Sequence, residues 1–504
     1  MLWFILWLLG IPISIYIAVF LYREIATYTR GRFYKKQGFM QLHRVFGGEI
    51  LMLADGSKCK NQLDSYIKAV EICQQKQLPG FIVNKYPECR PLVFLTDINL
   101  IRDFFIKETE VVQRRNTIDL KLDVGLLFEA GDLGLAHRRI FGEFFKMENL
   151  NKMSDDVWRV VDTHFKQQTV GADGCLNIKD SEKFIEKIMI NVVDALLFGY
   201  DVHAPRIDDK SFSEELVDIL AFIISPSIAF NPLNILLFGF PHDYNILPAT
   251  RSINRRLKKL KEVMIEHIKE REVTHALRLN IIDMMIDYNL RAPADARLSY
   301  DDMAGNCNLF LVAGYDTTAA TLNSLLFTAS QPAAAGVLEK TRLELQEKGI
   351  RGYGSGKVVT LDALEQSPML DMLIRENLRV NPPAGTMFPR EFTKNFTLGK
   401  YSFRKGDLLN LTIGPLMWTT PAFPNERTFD VHTLNEQNKK FFMPFSIGKR
   451  NCVGQFLSQM ESKVILQYIL ERYAVRPLAS LSDTRLGIKF ALSIEKPYVA
   501  FKPL

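Results

Sequence analysis

The chain has 504 residues, 47% of them apolar and 24% charged, with a formal net charge of +6. That balance excludes a disordered or fibrous chain and allows a large buried core. Six cysteines, at 59, 73, 89, 175, 307 and 452, form no C-x-x-C pair, which argues against a zinc site and for reduced thiols in a cytosol-facing setting.

Residues 1–22 carry no charged side chain and are dense in Leu, Ile, Trp and Phe. About 20 helical residues span the ~30 Å hydrocarbon layer of a bilayer, so this stretch is predicted to be a single-pass anchor. Pro12 is tolerable in such a helix. Arg23, Arg30, Arg32, Lys35 and Lys36 follow against one acid, Glu24, and the positive-inside rule then leaves everything downstream in the cytosol. A cleaved signal peptide fits less well, because the apolar run is too long and lacks a basic start and a small-residue cleavage site. The sequons at Asn395 and Asn410 would then stay unmodified. The expected organisation is an anchor at 1–22, a basic juxtamembrane segment at 23–60 and one globular domain at 61–504.

Alternation rich in Val, Ile and Phe over 81–96 predicts a small sheet, and Asp97 caps a predicted helix through 106. Helical periodicity recurs over 137–147, 152–168, 180–198, 212–225, 249–273, 300–330, 333–348 and 362–380. Strand-like pieces lie near 387–413 and 487–501. The expected fold is mainly α with a minor antiparallel β region. Arg255, Arg256, Lys258, Lys259 and Lys261 line one helix, and nothing interleaves aromatics with a basic stripe, so no nucleic-acid partner is expected.

Three short motifs carry chemistry. In Phe445-Ser446-Ile447-Gly448-Lys449-Arg450-Asn451-Cys452-Val453-Gly454 the glycines allow tight turns and close approach to a flat ligand, and a helical pattern opens at Gln455. Cys452 thus stands just before a helix N-terminus, where free N–H groups favour an anionic, metal-bound sulfur. Arg450 is a fixed cation suited to a cofactor carboxylate. In Ala313-Gly314-Tyr315-Asp316-Thr317-Thr318, the small residues Ala313 and Gly314 let a long helix pass close to a planar ring. A threonine hydroxyl bonded to the preceding turn opens room for water, and Asp316 with Thr317 makes an acid–alcohol pair fit for proton relay. Glu376-Asn377-Leu378-Arg379 sets Glu376 and Arg379 at i, i+3 on one helix face, where they can pair.

In order and spacing these motifs resemble the cytochrome P-450 superfamily of the eukaryotic membrane-anchored type, over roughly residues 80–504. The resemblance implies a haem-thiolate monooxygenase with Cys452 as axial ligand of haem b, and residues 61–504 as its catalytic domain. It implies Phe445, Gly448 and Gly454 in the haem loop, and Arg138, Arg390 and Arg450 reaching the propionates. Asp316 and Thr317 would activate O₂, and Glu376 with Arg379 would lock the loop. An apolar small-molecule substrate is implied, with electrons from NADPH through a flavoprotein reductase docked near Lys439, Lys440, Lys449 and Arg450. The implied location is the endoplasmic reticulum membrane. Leu309, Phe310, Ala313, Thr317, Ala384, Thr386, Met387, Phe490 and Leu492 are the implied pocket, and residues 111–128 its variable lid.

Two positions depart from the family pattern. Gly134 stands where a tryptophan donor to the propionates is usual. A Pro-x-Arg-Phe element, whose arginine joins Glu376 and Arg379, is replaced by Val431-His432-Thr433-Leu434, with His432 or Arg427 as possible substitutes. Rival readings are a haem-thiolate isomerase or dehydratase, disfavoured by the intact acid–alcohol pair, and a non-catalytic haem-binding protein.

Overall fold

The computed structural model describes residues 2–42, 62–85, 90–114, 125–129, 131–200, 204–223, 248–274, 280–352, 359–420, 422–423, 427–488 and 491–504. Its helices are α1 (Leu2–Lys35), α2 (Gln62–Gln75), α3 (Ile98–Val111), α4 (Gly131–Phe144), α5 (Met147–Lys166), α6 (Ser181–Phe198) and α7 (Phe212–Ile223). There follow α8 (Pro248–Thr274), α9 (Ile281–Arg291), α10 (Tyr300–Ala329), α11 (Val337–Glu347), α12 (Pro368–Val380), α13 (Ile413–Thr419) and α14 (Gln455–Arg472).

Helix α10 organises the helical part. The Ser299 hydroxyl accepts from Asp302 N at 3.1 Å, and the Asp302 carboxylate accepts from Ser299 N at 2.9 Å, a reciprocal capping box that fixes its start. Residues 303–312 and 318–329 are then buried on every face of the helix, as expected for one running through a core rather than over it. Only residues 313–317 interrupt that burial. Helix α14 is similarly enclosed from Met460 to Leu470.

A second core forms on a six-stranded sheet of order β1-β2-β3-β10-β7-β4. Its strands are β1 (Met40–Gln41), β2 (Gly80–Lys85), β3 (Arg90–Leu95), β4 (Val112–Arg114), β7 (Arg390–Phe392) and β10 (Leu408–Asn410). Phe81 and Phe94 stack across β2 and β3 with centroids 4.6 Å apart. A buried aromatic of this size contributes on the order of 2–3 kcal/mol. Leu409 pairs with Val93 on one side and Arg390 on the other, so the register holds Arg390 on an interior strand. Two-stranded pairs complete the β structure: β5 (Arg206–Ile207) with β6 (Lys210–Ser211), β8 (Phe396–Leu398) with β9 (Tyr401–Phe403), β11 (Tyr473–Pro477) with β14 (Val499–Pro503), and a hairpin of β12 (Leu486–Ile488) and β13 (Leu492–Ile494) that lies beside α10.

The C-terminal half of α1 is clasped to this sheet. Tyr34 Oη donates to Asp407 Oδ2 at 2.7 Å, and Arg30 Nε lies 3.1 Å from Asp407 Oδ1. Asp407 is fully buried.

The mainly helical architecture matches expectation, with corrections. The sheet is mixed rather than antiparallel, because β1 runs parallel to β2 and β10 parallel to β3. Helix α4 begins six residues before the expected 137, and α5 begins at Met147 rather than 152. Helices α2, α9 and α13 were not expected from the sequence. Helix α11 starts only at Val337, because Ala335 and Gly336 take left-handed conformations. Among the described residues no helix is long and apolar enough to cross a membrane, so the single-pass anchor at 1–22 has no support from the fold. Most side chains of that stretch, all of 43–61, much of the expected lid (115–124) and Phe490 lie outside the described residues.

Candidate active site

The loop before α14 turns sharply. Ser446 adopts φ +62° and Gly448 φ +83°, and a Cβ on Gly448 would sit 2.9 Å from the Phe105 carbonyl. Glycine is therefore required at 448 on two counts, backbone angle and space. Cys452 N donates to Phe445 O at 2.9 Å, which folds the loop back on itself and leaves the cysteine exposed in front of α14. Gly454 caps that helix.

Across a cavity of about 280 Å³, partly open to solvent, this loop faces the uncovered stretch of α10. Leu309, Phe310, Ala313, Gly314 and Thr317 line it from α10, Phe445, Cys452, Val453 and Gly454 from the loop, and Ala384, Thr386 and Met387 from the segment after α12. Thr317 Oγ1 donates to Ala313 O at 2.6 Å, the back-bond expected of it. Asp316 is turned elsewhere, accepting from Ala491 N at 2.6 Å, so the acid holds the entrance to β13 rather than the Thr317 hydroxyl. Leu492 stands behind the wall, where its N donates to Pro383 O at 2.8 Å.

All three arginines line the same cavity. Arg390 is fully buried, with its guanidinium 5.4 Å from the Phe105 ring, and Arg450 donates to Glu129 O at 2.8 Å. Arg138 donates to Asn451 Oδ1 at 2.7 Å. Phe128 and Phe388 meet at 5.4 Å, which draws together the segments that hold Arg450 and Arg390. Apolar broad walls, one thiol and buried guanidinium groups suit a flat apolar macrocycle that carries anionic groups and a metal, so the residues present fit haem. Arg450 is too buried to join a surface patch with Lys439, Lys440 and Lys449.

Glu376 and Arg379 form a bidentate pair at 2.7 and 2.9 Å, both fully buried. Burial pushes the Glu376 carboxyl up despite the opposing pull of Arg379. Where an arginine was expected, Glu376 Oε1 instead accepts from Asp430 N at 2.9 Å and Thr433 Oγ1 at 3.4 Å. Arg379 adds a bond to Thr428 O at 2.7 Å. The substitutes are elsewhere: His432 is exposed, and Arg427 lies over Trp418 at 5.0 Å. The departure at Gly134 has a steric cause, since a Cβ there would stand 2.6 Å from Glu129 O and 3.0 Å from Arg450 Nη1.

Sequence reasoning missed Glu461. It is 1% exposed, lines the cavity from α14, and accepts from Thr318 Oγ1 at 3.1 Å, while Oε1 has no hydrogen-bond partner. Burial raises its carboxyl to about 8. No sequence signal marks it, since Glu461 beside Ser462 and Lys463 reads as a solvated helix face. The basic run on α8 is partnered: Arg256 with Glu215, Lys259 with Asp208 and Lys261 with Asp301.

A buried helix opened opposite a cysteine loop, with arginines lining the space between, is the arrangement of a thiolate-ligated haem oxygenase. The cytochrome P450 family model matches residues 58–501, and the chain belongs to that family of monooxygenases. It is 25% identical to cytochrome P450 4c21 of Blattella germanica, over 81% of this chain and 83% of that one. Leukotriene-B4 omega-hydroxylase 3 of Mus musculus is 28% identical, covering 70% and 68%. Human cytochrome P450 4F8 is 24% identical over 77% and 76%. The fold also superposes on retinoic-acid-bound cyanobacterial CYP120A1, with a TM-score of 0.70 at 18% identity, covering 91% of this chain and 97% of that one.

Proposed function

We propose that the chain hydroxylates an apolar, lipid-type small molecule as a haem-thiolate monooxygenase. The observation that carries this is the single break in α10 burial, at 313–317, facing Cys452 across the cavity. Haem b, when bound, supplies the oxygen activation and atom insertion. Cys452 would hold the iron, Arg138, Arg390 and Arg450 would orient the propionates, and Ala313 and Gly314 would leave room for the ring. Thr317 would place a hydroxyl and water where protons are needed, and Asp316 would supply the acid on leaving Ala491. Leu309, Phe310, Ala384, Thr386 and Met387 would exclude water from the substrate. A relative that acts on leukotriene B4 favours the lipid class. Electrons would come from NADPH through a flavoprotein reductase, and residues 1–22 would tether the catalytic domain to the endoplasmic reticulum membrane.

The test is the carbon monoxide difference spectrum of the reduced protein. A strongly red-shifted Soret band, lost in Cys452→Ser, sustains the reading. A band typical of a neutral ligand, or no haem at all, overturns it.

A further inference from the structure

Outside the haem cavity, three metal-ligating side chains from three segments converge. Glu129 precedes α4, His137 lies within it, and Asp302 sits in the first turn of α10. Their ligand atoms all lie within 4.8 Å of one another. His137 Nδ1 is 2.7 Å from Glu129 Oε2, and the two side chains are only 6% and 16% exposed. Asp302 gives Oδ2 to the capping box at Ser299, which leaves Oδ1 for a ligand.

The charges do not balance among protein groups. Two carboxylates face one imidazole, and among the described residues neither carboxylate forms an ion pair with a lysine or arginine. A ring nitrogen held beside two carboxylates that no lysine or arginine neutralises is a setting that favours a dication. His137 also lines a surface groove of about 1230 Å³ between α4 and α9, which gives an ion a route in.

We propose that Glu129, His137 and Asp302 bind one divalent transition-metal ion, of which zinc is the representative. One imidazole nitrogen and two carboxylate oxygens are a zinc-type donor set, with a remaining position for water. Tetrahedral ligands at ~2.0–2.1 Å stand roughly 3.3 Å apart, so the present cluster needs only small side-chain rotations. Any proton on the ligating ring nitrogen leaves to solvent as the neutral imidazole takes the ion. The ion would tie the 125–129 segment to α4 and α10. Glu129 O accepts from Arg450 and Leu126 N donates to Asn306 on α10, so the clamp would steady a cavity arginine from outside the cavity.

The experiment is zinc binding to the chelator-treated full chain, by equilibrium dialysis and calorimetry at pH 8 and pH 6. One zinc per chain is expected, at least tenfold weaker at the lower pH and at least tenfold weaker in Glu129→Gln and His137→Gln. Asp302→Asn retains capping capacity and serves if either of those fails to fold. Absence of stoichiometric zinc in the wild type, or variants that bind as tightly, overturns the proposal. Haem content is read separately by absorbance, so loss of the haem reading and loss of the metal site are distinguishable.

Discussion

Replacing Glu461 by glutamine is expected to remove a pH-dependent loss of stability. Burial lifts this carboxyl from its ordinary 4.5 to about 8, so the native chain retains a proton that the unfolded chain releases. Stability from the neutral form is therefore complete below about pH 4.5 and drains away as pH rises through 8. At about 1.36 kcal/mol for each unit of pKa, that interval sets a ceiling of ~5 kcal/mol, about 4 of it accruing between pH 5 and pH 9. Glutamine keeps an acceptor for Thr318 and removes the titration, leaving an amide where Oε1 now lacks a partner, at about 1–3 kcal/mol independent of pH. The assay is denaturant unfolding of the full chain at pH 5, 7 and 9, with haem content followed in parallel. Wild type should lose about 4 kcal/mol more stability across this range than Glu461→Gln, which keeps the slope set by other buried acids such as Asp194. Parallel pH curves for the two proteins would show that Glu461 is already ionised in the native state and would refute the argument.

Thr433→Arg should bring a second cation to the buried Glu376 carboxylate, add on the order of 1.5–3 kcal/mol of charge-assisted bonding, and slow haem loss on heating; unchanged retention counts against it. Glu376→Gln should instead strand a buried guanidinium, destabilising by about 3–5 kcal/mol and reducing the yield of haem-loaded protein. Thr317→Ala should divert NADPH into peroxide in the presence of reductase and substrate; unaltered coupling would show the relay lies elsewhere. Lys439→Glu combined with Lys440→Glu should slow electron transfer from the reductase and flatten its salt dependence, and equal rates would move the docking face away from these lysines.

The parts of the site that are local in sequence were legible. The cysteine loop and the α10 motif are runs whose geometry is set within a few residues, and the Glu376–Arg379 pair is one helical turn. What depended on distant segments was not. The Asp316 carboxylate goes to Ala491, 175 residues away, which adjacency to Thr317 could not reveal. Thr433 meeting Glu376 depends on how the 427–433 segment lies across α12. Gly134 reads in sequence as a missing donor, whereas in the fold Glu129 O and Arg450 stand where its side chain would begin. Glu461 escaped notice because an acid in a helical pattern reads as a solvated face until the helix proves to be enclosed. Parallel pairing of β3 with β10 joins residues more than 300 positions apart, a relation that alternation alone leaves open.

The clasp of Tyr34 and Arg30 on Asp407 has a mechanical meaning. A helix joined to a globular body by a flexible tether leaves that body free to swivel. Here the last turns of α1 are fastened through a buried carboxylate to the strand β10 that pairs with Arg390. Helix and sheet thus behave as handle and head of one rigid tool. Whatever angle the handle takes against a surface, the head inherits it, and the direction in which the cavity opens is set by the lie of α1 rather than by chance rotation.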